Sequence, residues 1–306
     1  MKSVFVSILN FNGRKNTLEC LESLKKINID GFKLTILVID NSSAEPFDLR
    51  SNSEGKIRIE VIKNMENLGF SGGNNVGIKY AIKNNADYVL ILNNDTYVDP
   101  NFLTELLKIA EKDKNIGISV PKIYFAPDFE YHKDRYAKSE LGKVFWYAGG
   151  KMDWGNVIGS NRGVDEVDKG QFDKTEETEI ATGCCMFVRK EVFERTGNFD
   201  EKYFLYYEDA DLSVRAKSKG FKIVYVPKSV IWHKNAGSVG GSGSVLQDYY
   251  ITRNRLLFGF RYASFRSKSA LFRESLLLLF KGRKWQKSGV IDYCLDKFGK
   301  GSYKHE

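Results

Sequence analysis

The chain has 306 residues, 42% hydrophobic and 28% charged, a folded globular composition that excludes a disordered or fibrous protein. Four scattered cysteines, Cys20, Cys184, Cys185 and Cys294, with only three histidines, exclude a Cys/His zinc cluster and predict reduced core thiols in a cytosolic protein. The net charge of +8 is uneven: residues 253–306 hold 13 Lys/Arg against four Asp/Glu, so the basic character belongs to the tail.

Val4 to Leu9 reads as a buried strand; as a signal peptide it is too short and lacks a cleavage site, and no segment reaches transmembrane length. Its exit turn, Asn10-Phe11-Asn12-Gly13, has neither the three glycines of a dinucleotide fold nor the Gly-Lys-Ser/Thr of a phosphate loop. A helix follows, with Leu18, Leu21, Leu24 and Ile27 on one face. Leu34 to Ile39 is a second strand ending in Asp40-Asn41-Ser42-Ser43, a carboxylate at the carboxyl end of a strand, where open α/β sheets bind ligands. After a third strand, Ile57 to Ile62, the turn Asn67 to Asn75 is expected to open a helix over Val76–Asn85, with backbone amides facing anionic oxygens. Tyr88 to Leu92 is a strand buried on both faces that runs into Asn93-Asn94-Asp95. Asp95 stands where a hard cation or a substrate hydroxyl meets a carboxylate, and Asn93 and Asn94 offer carbonyl oxygens beside it. With the helix Phe102–Asp113, the alternation predicts a right-handed, mostly parallel sheet.

From Tyr124 to Glu179 the periodicity breaks, which predicts an insertion of hairpins and loops over one rim, with a solvated run at Asp165–Glu179. Glu179 to Arg189 reads as a strand leading into a helix over Lys190–Arg195. The turn Gly197-Asn198-Phe199-Asp200 precedes Tyr203 to Leu212, where Glu208, Asp209 and Asp211 fall within four positions. Three carboxylates so close are costly unless something positive or reactive needs them, although acids also suit a helix start and Asp211 stands four residues before Arg215. Lys222 to Pro227 is another strand, followed by Val230-Ile231-Trp232-His233, and Gly237 to Ser244 has the composition of a hinge or lid. Beyond Tyr249 to Arg255 come amphipathic helices with Phe272, Leu276, Leu277, Leu279 and Phe280 apolar among basic neighbours. Such helices either pack on the domain or sit on anionic lipid; no nucleic-acid-binding module is present.

Taken in order, Val6 to Asn12, Val38 to Ser43, Asn67 to Gly77, Leu92 to Asp95, Thr182 to Met186, Gly197 to Asp200, Glu208 to Leu212 and His233 resemble the family 2 nucleotide-sugar glycosyltransferases, in particular the rhamnosyltransferase-like branch. The resemblance covers roughly residues 3–260. It implies an α/β GT-A fold, with a catalytic domain over 1–260, a nucleotide-binding half about 1–120, an acceptor-binding half about 121–260, and a basic helical tail over 261–306. It implies inverting sugar transfer, with Asp40 on the nucleotide base and Asn10, Phe11, Asn12 and Asn67 in the nucleotide-sugar site. Gly73, Asn74 and Asn75 are placed by it near the ribose and diphosphate, with Asn93 and Asn94 beside them. Asp95 is placed on a divalent cation, Mg²⁺ or Mn²⁺, with His233 completing its shell. Asp209 is implied to be the catalytic base, with Glu208, Asp211 and Trp232 supporting it or the acceptor. The family's Asp-X-Asp reads Asn93-Asn94-Asp95 here, and an amide oxygen still coordinates such ions.

Adjacent Glu208 and Asp209 cannot straddle a glycosidic bond at about 5–9 Å as a hydrolase pair does, which argues against hydrolysis. The expectation is a cytoplasmic, peripherally membrane-associated enzyme using dTDP-L-rhamnose or a UDP-sugar on a glycan or lipid-linked acceptor of a surface polysaccharide. The alternatives are a non-catalytic nucleotide-sugar-binding module and a sugar-1-phosphate nucleotidyltransferase, although the latter needs a basic glycine-rich turn that Asn10-Phe11-Asn12-Gly13 lacks.

Overall fold

The computed structural model describes residues 1–48, 57–235 and 244–304. Apolar, β-branched runs build the strands Lys2–Asn10 (β1), Phe32–Asp40 (β2), Ile57–Lys63 (β3), Tyr88–Asn93 (β4) and Thr96–Val98 (β5). Between them lie the helices Arg14–Leu24 (α1) and Gly69–Lys83 (α2), and after them Phe102–Ala110 (α3). Ile116–Phe125 (β6) leads into Phe145–Tyr147 (β7), the hairpin Gly150–Asp153 (β8) with Ile158–Asn161 (β9), and the short Glu176–Glu177 (β10). The inserted hairpins and loops are thus present. Cys185–Arg189 (β11), Lys190–Thr196 (α4), Glu208–Ser218 (α5) and Lys222–His233 (β12) complete the sheet region. Val245–Tyr262 (α6), Phe265–Lys281 (α7) and Lys284–Cys294 (α8) follow.

The central sheet runs β10-β12-β6-β11-β4-β1-β2-β3 and is mostly parallel, with β11 antiparallel between β4 and β6. Chain order reverses at β1, which pairs with β2 on one side and β4 on the other, leaving a crevice at the carboxyl ends of these strands. Register puts Asn10 opposite Asp40 and Leu9 opposite Asn93, so the polar strand ends share one rim. β4 is buried on both faces except at Asn93, its final residue.

Several sequence expectations shift. α2 begins at Gly69 rather than Val76, so the small residues expected in a turn lie inside its first turns. They are small for packing: a Cβ on Gly73 would stand 2.4 Å from Leu9, and one on Gly77 2.2 Å from Ser7. The strand expected from Glu179 begins only at Cys185, because the preceding backbone is turned towards α5 by the Gly183 amide. Lys222 to His233 is one strand with a register slip between Val226 and Val230, not two segments. Of the cysteines, Cys20, Cys184 and Cys185 are buried, but Cys294 is exposed. The glycine-rich segment 237–243 lies outside the described residues; Ser244 accepts a hydrogen bond from the Gln247 amide and caps α6.

The tail is seated on the domain. A second apolar core joins Met152, Val157, Tyr203 and Ala210 to Leu256, Leu257 and Phe258 of α6, Leu271 of α7 and Val290 of α8. Among the described residues no helix is long and apolar enough to cross a membrane.

Candidate active site

At the rim of β1 and β2, Asp40 is 2% exposed. Its Oδ1 accepts from Ser43 Oγ at 2.5 Å and Asn10 Nδ2 at 3.1 Å, and its Oδ2 from the Phe47 amide at 2.9 Å. Burial works against the charge, but these donors outweigh it and hold the carboxyl below its usual range. Asn10 Oδ1 accepts from Thr17 Oγ1, which also accepts from Asn94 Nδ2 at 3.0 Å, so β1, α1 and the β4 turn are tied together. Asn12, left-handed at φ 54°, bonds Ser43 through its amide and the Ala44 amide through its side chain; Phe11 beside it is partly exposed.

Asn41 is a hub that sequence reasoning passed over. Its side chain bonds Asn64, Asn67, the Leu68 amide and the Gly69 carbonyl, fixing the entry to α2. Asn67 thereby faces Asn41 and the Gly69 amide. Asn75 lies buried in α2, where its side chain exchanges hydrogen bonds with the Phe199 backbone and donates to Glu201. Asn74 donates to the Phe70 carbonyl, and its Oδ1 is buried without a partner. Gly73 packs on Leu9 and Asn41.

Following β4, Asp95 is 7% exposed, and its Oδ1 lies 3.1 Å from His233 Nε2 at the end of β12. Lys234 N donates to the Asp95 carbonyl, which pins the two strand ends together. Burial opposes charge on His233, yet Cys184 and Asp95 beside it push the imidazole well above its usual range. Trp146 packs edge-on against the ring, and His233 Nδ1 is buried without a partner. Among the described residues no cluster of three His, Cys, Asp or Glu side chains gathers for an ion. The Asp95 carboxylate is nonetheless a suitable donor for Mn²⁺ or Mg²⁺, ions that take few protein ligands where phosphate oxygens complete the shell. Trp232, next to His233, donates to the Gly142 carbonyl at 2.9 Å and stacks on Tyr97.

Asp209 stands in the first turn of α5, half-buried. Its Oδ2 accepts from the Gly183 amide at 2.8 Å and its Oδ1 from the Ala210 amide at 2.7 Å. The Cys184 carbonyl in turn accepts from the Asn93 amide, so this carboxylate is joined to the end of β4 through two backbone links. Burial raises Asp209 above the usual carboxylate range against the pull of those amides. Glu208 is buried, with Oε2 unpartnered; burial, then the charge of Asp209, raises it well above its usual range. Asp211 is fully buried and committed to Arg215 at 2.6 Å, Tyr262 at 2.8 Å and Tyr203 at 3.2 Å. The i, i+4 pairing with Arg215 is therefore present.

The approach to Asp209 is strained. Phe204, Tyr206 and Tyr207 are left-handed, at φ 62°, 69° and 72°. Arg253 and Asn254 of α6, both fully buried, hold that backbone. Asn254 Nδ2 donates to the carbonyls of Tyr203, Leu205 and Tyr206. Arg253 donates to Tyr203 at 3.0 Å, Lys202 at 3.2 Å and Gly299 at 2.8 Å. Sequence reasoning recorded Arg253-Asn254 without a role, since a polar pair on a basic helix looks solvated until the fold buries it.

A mostly parallel sheet with acidic and amide side chains at its carboxyl rim defines an α/β protein with a polar ligand crevice at its strand ends. The pattern of glycosyltransferase-like family 2 fits residues 2–255, and the chain belongs to that family. It is 26% identical over 222 residues to the low-salt glycan biosynthesis hexosyltransferase Agl10 of Haloferax volcanii, covering 72% of this chain and 66% of that protein. It is 23% identical over 263 residues to the dTDP-rhamnosyl transferase RfbF of Shigella flexneri, covering 83% and 79%. Among solved structures, GalNAc-T7 with UDP, GalNAc and Mn²⁺ superposes with a TM-score of 0.57 at 17% identity, covering 89% of this chain and 54% of that one, a likeness of fold.

Proposed function

We propose that this chain transfers a sugar with inversion from a nucleotide diphosphate donor, dTDP-L-rhamnose favoured, to a glycan or lipid-linked acceptor in surface polysaccharide synthesis. The carrying observation is Asp209. Two backbone amides aim its carboxylate, and burial raises its proton affinity beside the rim where Asp40 and Asp95 stand. Attack on an anomeric carbon needs an acceptor hydroxyl to lose its proton, and a positioned carboxylate of raised basicity accepts it. Asp40 and the Asn10–Asn12 turn receive the nucleotide, and Asn93 and Asn94 flank the diphosphate. Gly73, Asn74 and Asn75 support that pocket from α2 and Asn67 from the turn before it, Gly73 through packing and Asn75 through side-chain bonds to neighbouring backbone. Burial favours the neutral form of Glu208 and so limits a second negative charge beside Asp209; Asp211 and Trp232 fix the surrounding elements. Asp95 and His233 would hold a divalent cation, which neutralises the leaving diphosphate when bound. The donor preference rests on the rhamnosyl relative. The site faces the cytoplasm in this reading.

Incubation with a panel of dTDP-, UDP- and GDP-sugars, with product detection by mass spectrometry, tests the proposal. Turnover of dTDP-L-rhamnose that is lost in Asp209→Asn is expected. Turnover of a UDP-sugar alone overturns the donor, and full activity of the variant overturns the base. Asp95→Ala is expected to weaken donor affinity measured with Mn²⁺ and to leave affinity in EDTA unchanged. Equal affinity with and without the ion overturns the metal assignment.

A further inference from the structure

Helix α7 is apolar on two opposite faces, and only one of them is covered. The inner face is held firmly: Leu271 joins the second core, Ser267 Oγ donates to the Trp154 carbonyl at 2.8 Å, and Glu274 pairs with Arg255 at 2.6 Å. On the outer side Phe265, Phe272, Leu276 and Phe280 recur at helical spacing and stand in solvent, Phe265 86% and Phe280 80% exposed. Leu277 flanks them, 59% exposed. Aromatic and leucine side chains left out in a row on a rigid helix are far from the scattered apolar exposure of ordinary surfaces.

The surrounding charge says what covers this face. Arg266, Lys268, Arg273 and Lys281 border it, and among the described residues none of them forms an ion pair. The sole acid on α7, Glu274, is taken by Arg255. Trp154, exposed on the neighbouring loop, lines a shallow cleft with Arg266 and Arg273. A second copy docking through the same patch would set these cations against their equivalents, because a two-fold contact pairs a surface with itself. An anionic lipid surface offers the opposite sign and a hydrocarbon boundary together.

We infer that α7 lies in the plane of an anionic membrane with Phe265, Phe272, Leu276 and Phe280 inserted at the headgroup boundary and its free Arg and Lys side chains on lipid phosphates. This deepens the reading of a lipid-linked acceptor and rests on it for its purpose, whereas the contact itself is read without turnover.

Co-sedimentation of the full chain with vesicles of phosphatidylcholine, alone or mixed equally with phosphatidylglycerol, tests it. The expected result is a bound fraction at least about tenfold higher on the anionic vesicles, falling as salt is raised. Phe265→Ser/Phe272→Ser/Leu276→Ser/Phe280→Ser removes binding at all salt concentrations. Arg266→Ala/Lys268→Ala/Arg273→Ala/Lys281→Ala removes the preference for anionic lipid. Both variants keep the Tm and the donor affinity of the parent, since every altered side chain points outward. Parent and serine variant sedimenting alike overturns the inference. So does a parent that is dimeric by light scattering and becomes monomeric with the serines, which makes a second copy the occupant. Vesicle binding without sugar transfer in any assay sinks the transferase reading and leaves the membrane surface standing.

Discussion

Glu208 and Asp209 are neighbours with different surroundings, and burial raises the proton affinity of both. Asp209 receives two backbone amides, whereas Glu208 is buried with an unpartnered oxygen and the Asp209 charge beside it. In the proposed reaction Asp209 takes a proton only while ionised, and as pH falls through its raised pKa that capacity is lost. The acid limb of kcat/KM is therefore expected above the ordinary Asp value of 3.8, and Asp209→Asn should abolish the limb while lowering kcat about 10²–10⁴-fold with donor affinity within about twofold. A flat profile in the parent overturns the assignment. For Glu208 the sign concerns stability. An acid whose folded pKa exceeds its unfolded one favours the folded state only while protonated, so stability is lost as pH rises from the ordinary value of 4.5 towards the folded pKa. Glu208→Gln should raise Tm at neutral pH and leave it unchanged near pH 4, as scanning calorimetry would show. The adjacency of these acids was plain in the sequence; their different surroundings were not, because these depend on which backbone amides fold back onto them.

The segment 203–207 and helix α6 form a pair that no local pattern announces. Each left-handed aromatic residue costs about 1–3 kcal/mol, and such strain persists only where neighbours over-determine the backbone. Arg253 and Asn254 supply that constraint by saturating the carbonyls that the turn leaves pointing inward. Arg253→Met would strand the Gly299 carbonyl at about 1–3 kcal/mol, leave the Tyr203 carbonyl with Asn254 as its remaining donor, and let α5 start out of place. A misplacement of this sort is expected to lower kcat up to about 10²-fold while nucleotide affinity at Asp40 holds, with partial recovery in Arg253→Lys. A proportional loss of kcat and nucleotide affinity would indicate general destabilisation. The sequence showed the strands β1, β2 and β4 well, since buried parallel strands are continuous apolar runs bounded by polar turns. It misplaced α2 because glycine and asparagine usually mark turns, whereas here Gly73 and Gly77 admit Leu9 and Ser7 against the helix. It ran a strand through Thr182 and Gly183 for the complementary reason: small and apolar residues suit a strand, and only the contact with Asp209 diverts them.

At the scale of the whole molecule, the basic tail is not an appendage. Charge and amphipathicity separated residues 261–306 from the domain, yet the second core shares Tyr203 and Ala210 of the catalytic region with Leu271 and Val290 of the tail. Two further ties reach the catalytic region: the Gly299 amide donates to the Lys202 carbonyl, and Tyr262 donates to Asp211. Asp292 of α8 gathers Ser302 and Tyr249, and so closes the carboxyl-terminal loop onto α6. Heating should accordingly give one cooperative transition for the domain and tail together, because the second core is built from residues of both. Removal of residues 264–306 would uncover Phe258 and Leu256 and release the loop that Arg253 joins to Lys202, so the truncated chain is expected to melt lower and to lose turnover as well as vesicle binding. The serine variant of α7 should lose vesicle binding alone, and this contrast separates the two surfaces of the helix. Two resolved transitions in the intact chain, the lower one abolished by the truncation while turnover on a soluble acceptor persists, would make the tail an independent membrane module rather than a structural part of the catalytic unit.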